Sequence, residues 1–222
     1  IESNAGRTQQ HLRGLWMGKK AQRVSDSRLD CTRALVAAIQ GAQQPPKVLL
    51  SASGVGFYGE GGESVLDERA TSGEDFFAEL CVDWETMAQQ AEEVGCRVAL
   101  LRFGIILGPD GGALRAMLLP TKMGVAGRLG TGQQWWSWVA LSDAVSAIRF
   151  VLSKSGIRGP VNVVAPDPIR QVDFQKALSG VVSRPSFMPA PGFAVRALLG
   201  TFAAEGLSSK REVPVVLRES GF

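Results

Sequence analysis

This 222-residue chain has one histidine, His11, and one tyrosine, Tyr58. A Ser-His-Asp hydrolase would have to use His11, and no G-x-S-x-G elbow is present to position its serine. The three cysteines, Cys31, Cys81 and Cys96, are far apart and form no C-x-x-C, so zinc and iron–sulfur sites lack their ligands and no metal is expected. An odd cysteine count without a framework points to a reducing compartment. There is no basic run, and 24 Lys+Arg against 21 Asp+Glu leave a net charge of only +3, so nucleic acid is not an expected partner. Mean hydropathy is +0.07, yet no apolar stretch reaches the roughly 18–20 residues of a membrane-spanning helix.

The chain is 45% hydrophobic and 20% charged, enough for one substantial core and a small lobe. Residue 1 is Ile and no signal-peptide pattern follows, so the N-terminus is read as incomplete. The spacing of Leu29, Thr32, Leu35/Val36 and Ile39 predicts a helix over 25–40, stopped by Pro45-Pro46. A buried strand is expected at 47–51, a Gly/Glu/Ser-rich loop over 54–72, a long helix over 73–93 and a second buried strand at 97–103. A short helix around 114–119, a Trp-rich turn at 130–138 and a helix over 142–153 follow. A strand at 160–164 and helices over 171–182 and 189–199 come next, with no terminal element foreseen at Gly221-Phe222. Alternating helices and buried-type strands describe an α/β fold with a parallel sheet.

Gly54-Val55-Gly56-Phe57-Tyr58-Gly59 is a literal G-x-G-x-x-G after a strand. A dinucleotide fingerprint must open a helix whose N–H groups meet the pyrophosphate. Here Glu60-Gly61-Gly62-Glu63 follow, with no helix and with two carboxylates that repel phosphate. The motif is read as a decoy. The same stretch instead offers Ser51 and Ser53 at a strand end, where doubly wound folds place ligands.

Five ordered blocks carry a resemblance: SASGVGFYG, GEDFFAELCVDWE, LLRFGIILGPDGGALRAML, GTGQQWWSWVALSDA and VNVVAPDPIR. Together, from about Asn4 to Phe222, they resemble the epimerase-like branch of the extended short-chain dehydrogenase/reductases, a group also described as SulA-like. The resemblance implies a Rossmann-like doubly wound parallel sheet that binds NAD or NADP, with a small C-terminal substrate lobe. The expected division is 1–165 for the dinucleotide-binding domain, with a substrate-side loop about 108–140, and 166–222 for the lobe. Members occur in bacteria and plastids, which implies the bacterial cytoplasm or an organelle stroma or matrix, with the plastid favoured among organelles.

Residue roles follow from the same resemblance. Asn4, Ala5 and Gly6 resemble a strand end that lies downstream of the family's phosphate loop, so the first βαβ part and the ribose-selecting residue are expected to be missing. Asn4, Ala5, Gly6, Ser51, Ala52, Phe77, Cys81, Arg102, Phe103, Gly104 and Ile105 match positions beside the cofactor. Gly132, Gln133, Trp135 and Trp138 match the substrate-side loop. Classical members carry Tyr-x-x-x-Lys, whose spacing lets the ammonium lower the phenol's pKa. The matching positions here are Phe77 and Cys81, which cannot do this. Ser53, Ser51 and Tyr58 are the remaining catalytic candidates. A family histidine is replaced by Ala140. Asn162 is read as structural, Gln89-Gln90 as a wet helix face, and Ser209-Lys210-Arg211 as a solvated turn.

Three readings follow. One is an NAD(P)-binding epimerase or oxidoreductase acting on an unknown small molecule. Another is a non-catalytic scaffold or accessory subunit whose Phe57, Trp135, Trp136 and Trp138 meet protein partners. A weaker third is a regulator that senses dinucleotide state through the 54–72 loop.

Overall fold

The structure, a computed structural model, describes residues 19–185, 188–192 and 203–222. Helix α1 (Lys19–Gln40) precedes strand β1 (Val48–Gly54), which runs into a 3₁₀ turn at Val55–Tyr58. A two-residue strand β2 (Val65–Leu66) leads to helix α2 (Phe76–Gln89), a 3₁₀ turn at Gln90–Val94 and strand β3 (Arg97–Phe103). Asp75 caps α2 by accepting hydrogen bonds from the Phe77 and Ala78 amides, both at 2.9 Å. The long helix expected over 73–93 therefore begins later and tightens at its end.

Strand β4 (Ile105–Leu107), helix α3 (Gly112–Lys122), strands β5 (Trp135–Trp136) and β6 (Trp138–Ala140), and helix α4 (Leu141–Ser153) follow. Then come β7 (Gly159–Val163), β8 (Ile169–Arg170), helix α5 (Gln171–Val181), α6 (Ala203–Leu207), β9 (Arg211–Glu212) and α7 (Val215–Glu219). The helix expected over 189–199 falls largely outside the described residues. The last turn, α7, was not foreseen; it is anchored by Leu217, which enters the core.

The principal sheet is parallel in the order β1-β3-β7. Its centre, β3, is buried on both faces, which explains its nearly continuous apolar run. Val98 and Leu100 pack under α1 and α2 with Val36, Ile39, Leu49 and Ala88. Ala99 and Leu101 pack on the other face with Ala144, Ala147 and Val151 of α4 and with Leu217. Helices on both faces make the sheet doubly wound. Three small ladders lie around it: β4 with β6 parallel, β5 with β8 antiparallel, and β2 with β9 parallel. Among the described residues no helix is long and apolar enough to cross a membrane.

Candidate active site

Strand register builds the first part of the site. Ser53, Arg102 and Asn162 are consecutive partners across β1, β3 and β7, close to the strands' C-terminal ends. All three are buried. From α2, Glu85 reaches this row: Arg102 Nε donates to Oε1 at 2.8 Å and Nη2 to Oε2 at 2.7 Å, while the Ser53 hydroxyl donates to Oε1 at 2.7 Å. Arg102 Nη1 donates to the Tyr58 hydroxyl at 3.0 Å, and that hydroxyl donates to Asn162 Oδ1 at 2.7 Å. The Arg102 guanidinium sits over the Phe57 ring, its Cζ 3.4 Å from the ring centroid. The row is thus a closed ladder of donors and acceptors. Burial pushes the Tyr58 phenol up to about 12, against the opposing pull of Arg102.

The second part is a small cavity just past the ends of β1 and β3. Val55, Ile105, Trp135, Trp136, Ser137, Glu205, Ser208 and Lys210 line it, around a partly open space of about 20 Å³. The Lys210 ammonium is 2.7 Å from Glu205 Oε1, and the lysine side chain is only 5% exposed. The turn expected to be solvated is therefore folded inward: Ser209 and Lys210 are buried. Its backbone is pinned, since Lys210 N donates to Trp135 O at 2.9 Å and Ser137 Oγ donates to Lys210 O at 3.0 Å.

Gly56 packs where these groups meet. A Cβ there would stand 3.2 Å from Phe77 Cβ, 3.3 Å from Glu205 Oε1 and 3.8 Å from Cys81 Sγ. Phe77 and Cys81 thus lie one helical turn apart on α2, facing the 3₁₀ turn after β1. Burial pushes the Cys81 thiol up to about 11, so it is neutral at physiological pH. Next to the cavity, Glu212 is fully buried and neither carboxyl oxygen has a hydrogen-bond partner among the described residues. Burial pushes it up to about 7, with the nearby Lys210 charge offsetting part of that cost.

The remaining positions are distributed around this centre. Ser51 is buried with its hydroxyl directed to Ala52 O at 3.4 Å. Ala52 is exposed and Gly54 half-buried, so the end of β1 carries no side chain beyond a methyl on that face. Phe103 packs against the core. At Gly104 a Cβ would lie 2.6 Å from Ser137 O, which fixes a backbone crossing that only glycine permits and sets Ile105 at the cavity. Gly132, with φ of +72°, turns the loop that leads to Gln133.

Trp135 lies against both Arg170 and Arg211, whose Cζ atoms are 4.0 and 4.6 Å from its ring centroid. Its indole N–H donates to Glu63 at 3.0 Å, and Arg170 pairs with the same carboxylate and with Gln133 O. Trp138 pairs with Ile105 across β4 and β6, and its indole nitrogen is buried without a partner among the described residues. Asn4, Ala5 and Gly6 lie outside the described residues. The Gly54–Gly59 stretch opens no α-helix, only the 3₁₀ turn, so it forms no phosphate cradle. Among the described residues no His/Cys/Asp/Glu cluster could hold a metal ion.

Sequence reasoning gave Glu85 no role of its own, because an acidic residue on a helix reads as solvated and its arginine partner lies on another element. It likewise placed Lys210 in water. The signal that would have found Lys210 is the tightly turned Ser208–Glu212 segment folding against the Trp-rich loop, which no local pattern reveals.

A doubly wound parallel sheet with a cavity at its strand ends defines a nucleotide-binding α/β class of enzyme-like folds. Residues 14–164 match the NAD dependent epimerase/dehydratase family, and the chain belongs to that family. It is 41% identical over 208 residues to epimerase family protein Mb2239 of Mycobacterium bovis, covering 93% of this chain and 68% of that protein. It is 40% identical to the chloroplastic SDR39U1 homolog of Arabidopsis thaliana, covering 93% of this chain and 60% of that one. Among solved structures, human epimerase family protein SDR39U1 isoform 2 with NADPH superposes with a TM-score of 0.86 at 29% identity, over 93% of this chain and 70% of that chain. The UDP-glucose 4-epimerase of Thermotoga maritima, at 15% identity and a TM-score of 0.67 over 90% of this chain and 65% of that chain, shares the fold.

Proposed function

We propose that the protein is an NAD(P)-dependent oxidoreductase of the epimerase type, holding the nicotinamide end of a dinucleotide against the C-terminal end of β1. The observation that carries this reading is the cleared strand edge there. Ala52 and Gly54 leave the backbone bare, and a Cβ on Gly54 would have no neighbour closer than 3.8 Å. That is space a flat ring can fill, directly beside the cavity lined by Val55 and Ile105. When bound, the cofactor supplies hydride exchange with a carbonyl or alcohol carbon. The protein's part is to orient: the Ser53–Glu85–Arg102–Tyr58–Asn162 row holds the strand ends rigid beneath the site. The NADPH in the human relative's structure favours the phosphorylated dinucleotide.

Gly54 has φ of −143°, extended backbone that any residue adopts, so Gly54→Val fills the cradle without strain. In the full-length protein, calorimetric titration is expected to show NADPH binding that Gly54→Val weakens about tenfold or more, equal to about 1.4 kcal/mol. Failure of the wild type to bind either NADPH or NADH at millimolar concentration, or binding unchanged by the substitution, overturns the reading.

A further inference from the structure

Proton transfer at this site has no obvious agent. Phe77 has no proton to give. Cys81 is buried beneath Gly54 O at 3.7 Å. The Tyr58 hydroxyl is committed at once to Arg102 and Asn162, and Ser53 to Glu85. Each of these groups sits under the sheet end rather than at the cavity. What does line the cavity is a lysine, Lys210.

Lysine is among the residues least often buried, because its charge is costly to desolvate unless paired. Lys210 is buried all the same, held by Glu205 at 2.7 Å and by backbone hydrogen bonds on both sides of its Cα. An ammonium has three N–H donors. Glu205 takes one, the described residues supply no acceptor for the other two, and Lys210 lines the cavity together with Trp136 and Ser137. A volume of about 20 Å³ exceeds the roughly 10–15 Å³ that one water needs. It admits one oxygen atom and little more. The Glu205 carboxylate, which reaches Gly56 opposite Phe77, ties this ammonium to the place where the Tyr-x-x-x-Lys pair would stand.

We propose that Lys210 is a catalytic residue: it binds the oxygen of a neutral carbonyl substrate in this cavity and donates the proton that completes its reduction. The inference rests on the dinucleotide reading above. The substrate's carbonyl carbon gains a hydride from a reduced nicotinamide dinucleotide. The C=O π pair moves onto oxygen, which takes a proton from Lys210 Nζ, and the resulting amine regains a proton from water by way of Glu205. One carbonyl, one reduced dinucleotide and one proton become one alcohol and one oxidised dinucleotide. The reverse direction uses Lys210 as base. Because Lys210 and Glu205 neutralise each other, the cavity gives no net attraction to an anion. A ketone or aldehyde oxygen fits it better than a carboxylate or phosphate.

The test uses the full-length protein labelled with [13Cε]lysine, with 1-phenyl-1,2-propanedione as the carbonyl probe. Lys210→Met and Lys210→Arg assign the Lys210 resonance by its disappearance. We expect that resonance to shift when the dione is added in the presence of NADP. The wild type should reduce the dione with NADPH, followed at 340 nm, at least 100-fold faster than Lys210→Met, with NADPH binding equal in the two proteins. Lys210→Arg, which keeps the charge but does not release a proton near neutral pH, should retain dione binding without turnover.

If the wild type binds NADPH but the dione neither moves the Lys210 resonance nor is reduced, the assignment is overturned. It is overturned as well if Lys210→Met turns over within threefold of wild type. Absence of NADPH binding in the wild type overturns the dinucleotide reading instead. A Lys210 resonance that still follows the dione in that case supports the oxygen site on its own.

Discussion

A single buried carboxyl gives the clearest signature at the scale of one residue. Glu212 has no exposed surface and no acceptor or donor partner for its two oxygens among the described residues. Its folded value is about 7 against an ordinary 4.5, chiefly from burial. A carboxyl shifted upward in this way favours the folded state while it is protonated. That contribution is complete below about pH 4.5 and is lost as pH rises through about 7. Lys210 and Glu205 both face it, the first favouring its ionisation and the second opposing it. Glu212→Gln keeps the shape and removes the titration. The substituted protein is expected to exceed wild type in stability by about 3 kcal/mol at pH 8 and to match it near pH 4. Urea denaturation across that range measures the difference. Parallel pH profiles for the two proteins would show that Glu212 is not buried as an acid.

The strands and helices show what an element can do that its residues cannot. The β1-β3-β7 register alone brings Ser53, Arg102 and Asn162 abreast, and α2 adds Glu85 above them. Removing one partner of a buried pair leaves an uncompensated charge, at a typical cost of about 3–5 kcal/mol. Glu85→Leu is expected to lose that much by chemical denaturation. Glu85→Leu combined with Arg102→Met removes both charges and should recover part of it. Recovery stays partial because Ser53 and Tyr58 lose partners as well.

This row also marks where the sequence could be read and where it could not. β3 was legible at both ends because the apolar run 98–101, set between Arg97 and Arg102, is what a strand covered on two faces requires. α5 and α4 were legible from their amphipathic spacing and fell within one residue of expectation. The two-residue strands were not, since β2 finds β9 and β5 finds β8 across long separations that leave no local period. Arg102 was singled out by resemblance and Tyr58 by scarcity, but their mutual hydrogen bond depends on a 3₁₀ turn that composition does not announce. Lys210 was illegible for the same reason as β9: its burial is conferred by the Trp-rich loop folding against it.

Across the whole molecule, segment 205–219 joins the sheet to the cavity. Leu217 shares a core with Val161 and Val163 of β7 and with Ala99 and Leu101 of β3. Glu68 Oε1 accepts from both the Asn162 amide at 3.0 Å and the Val216 amide at 3.2 Å, so one carboxylate ties β7 to α7. Val213 N donates to Leu66 O at 3.0 Å, and Lys210 hangs from Trp135 in the same stretch. The cavity wall and the central sheet therefore share a single set of supports. Leu217→Ala removes a side chain that is 2% exposed, which typically costs about 2–5 kcal/mol. The coupling predicts more than that loss. Hydrogen exchange should quicken in β9 and at the Asn162 amide together, within one cooperative transition, and the Lys210 resonance should broaden in step. Faster exchange confined to 205–219, with β7 unchanged, would mean that the segment opens by itself and that the cavity forms and dissolves without disturbing the sheet.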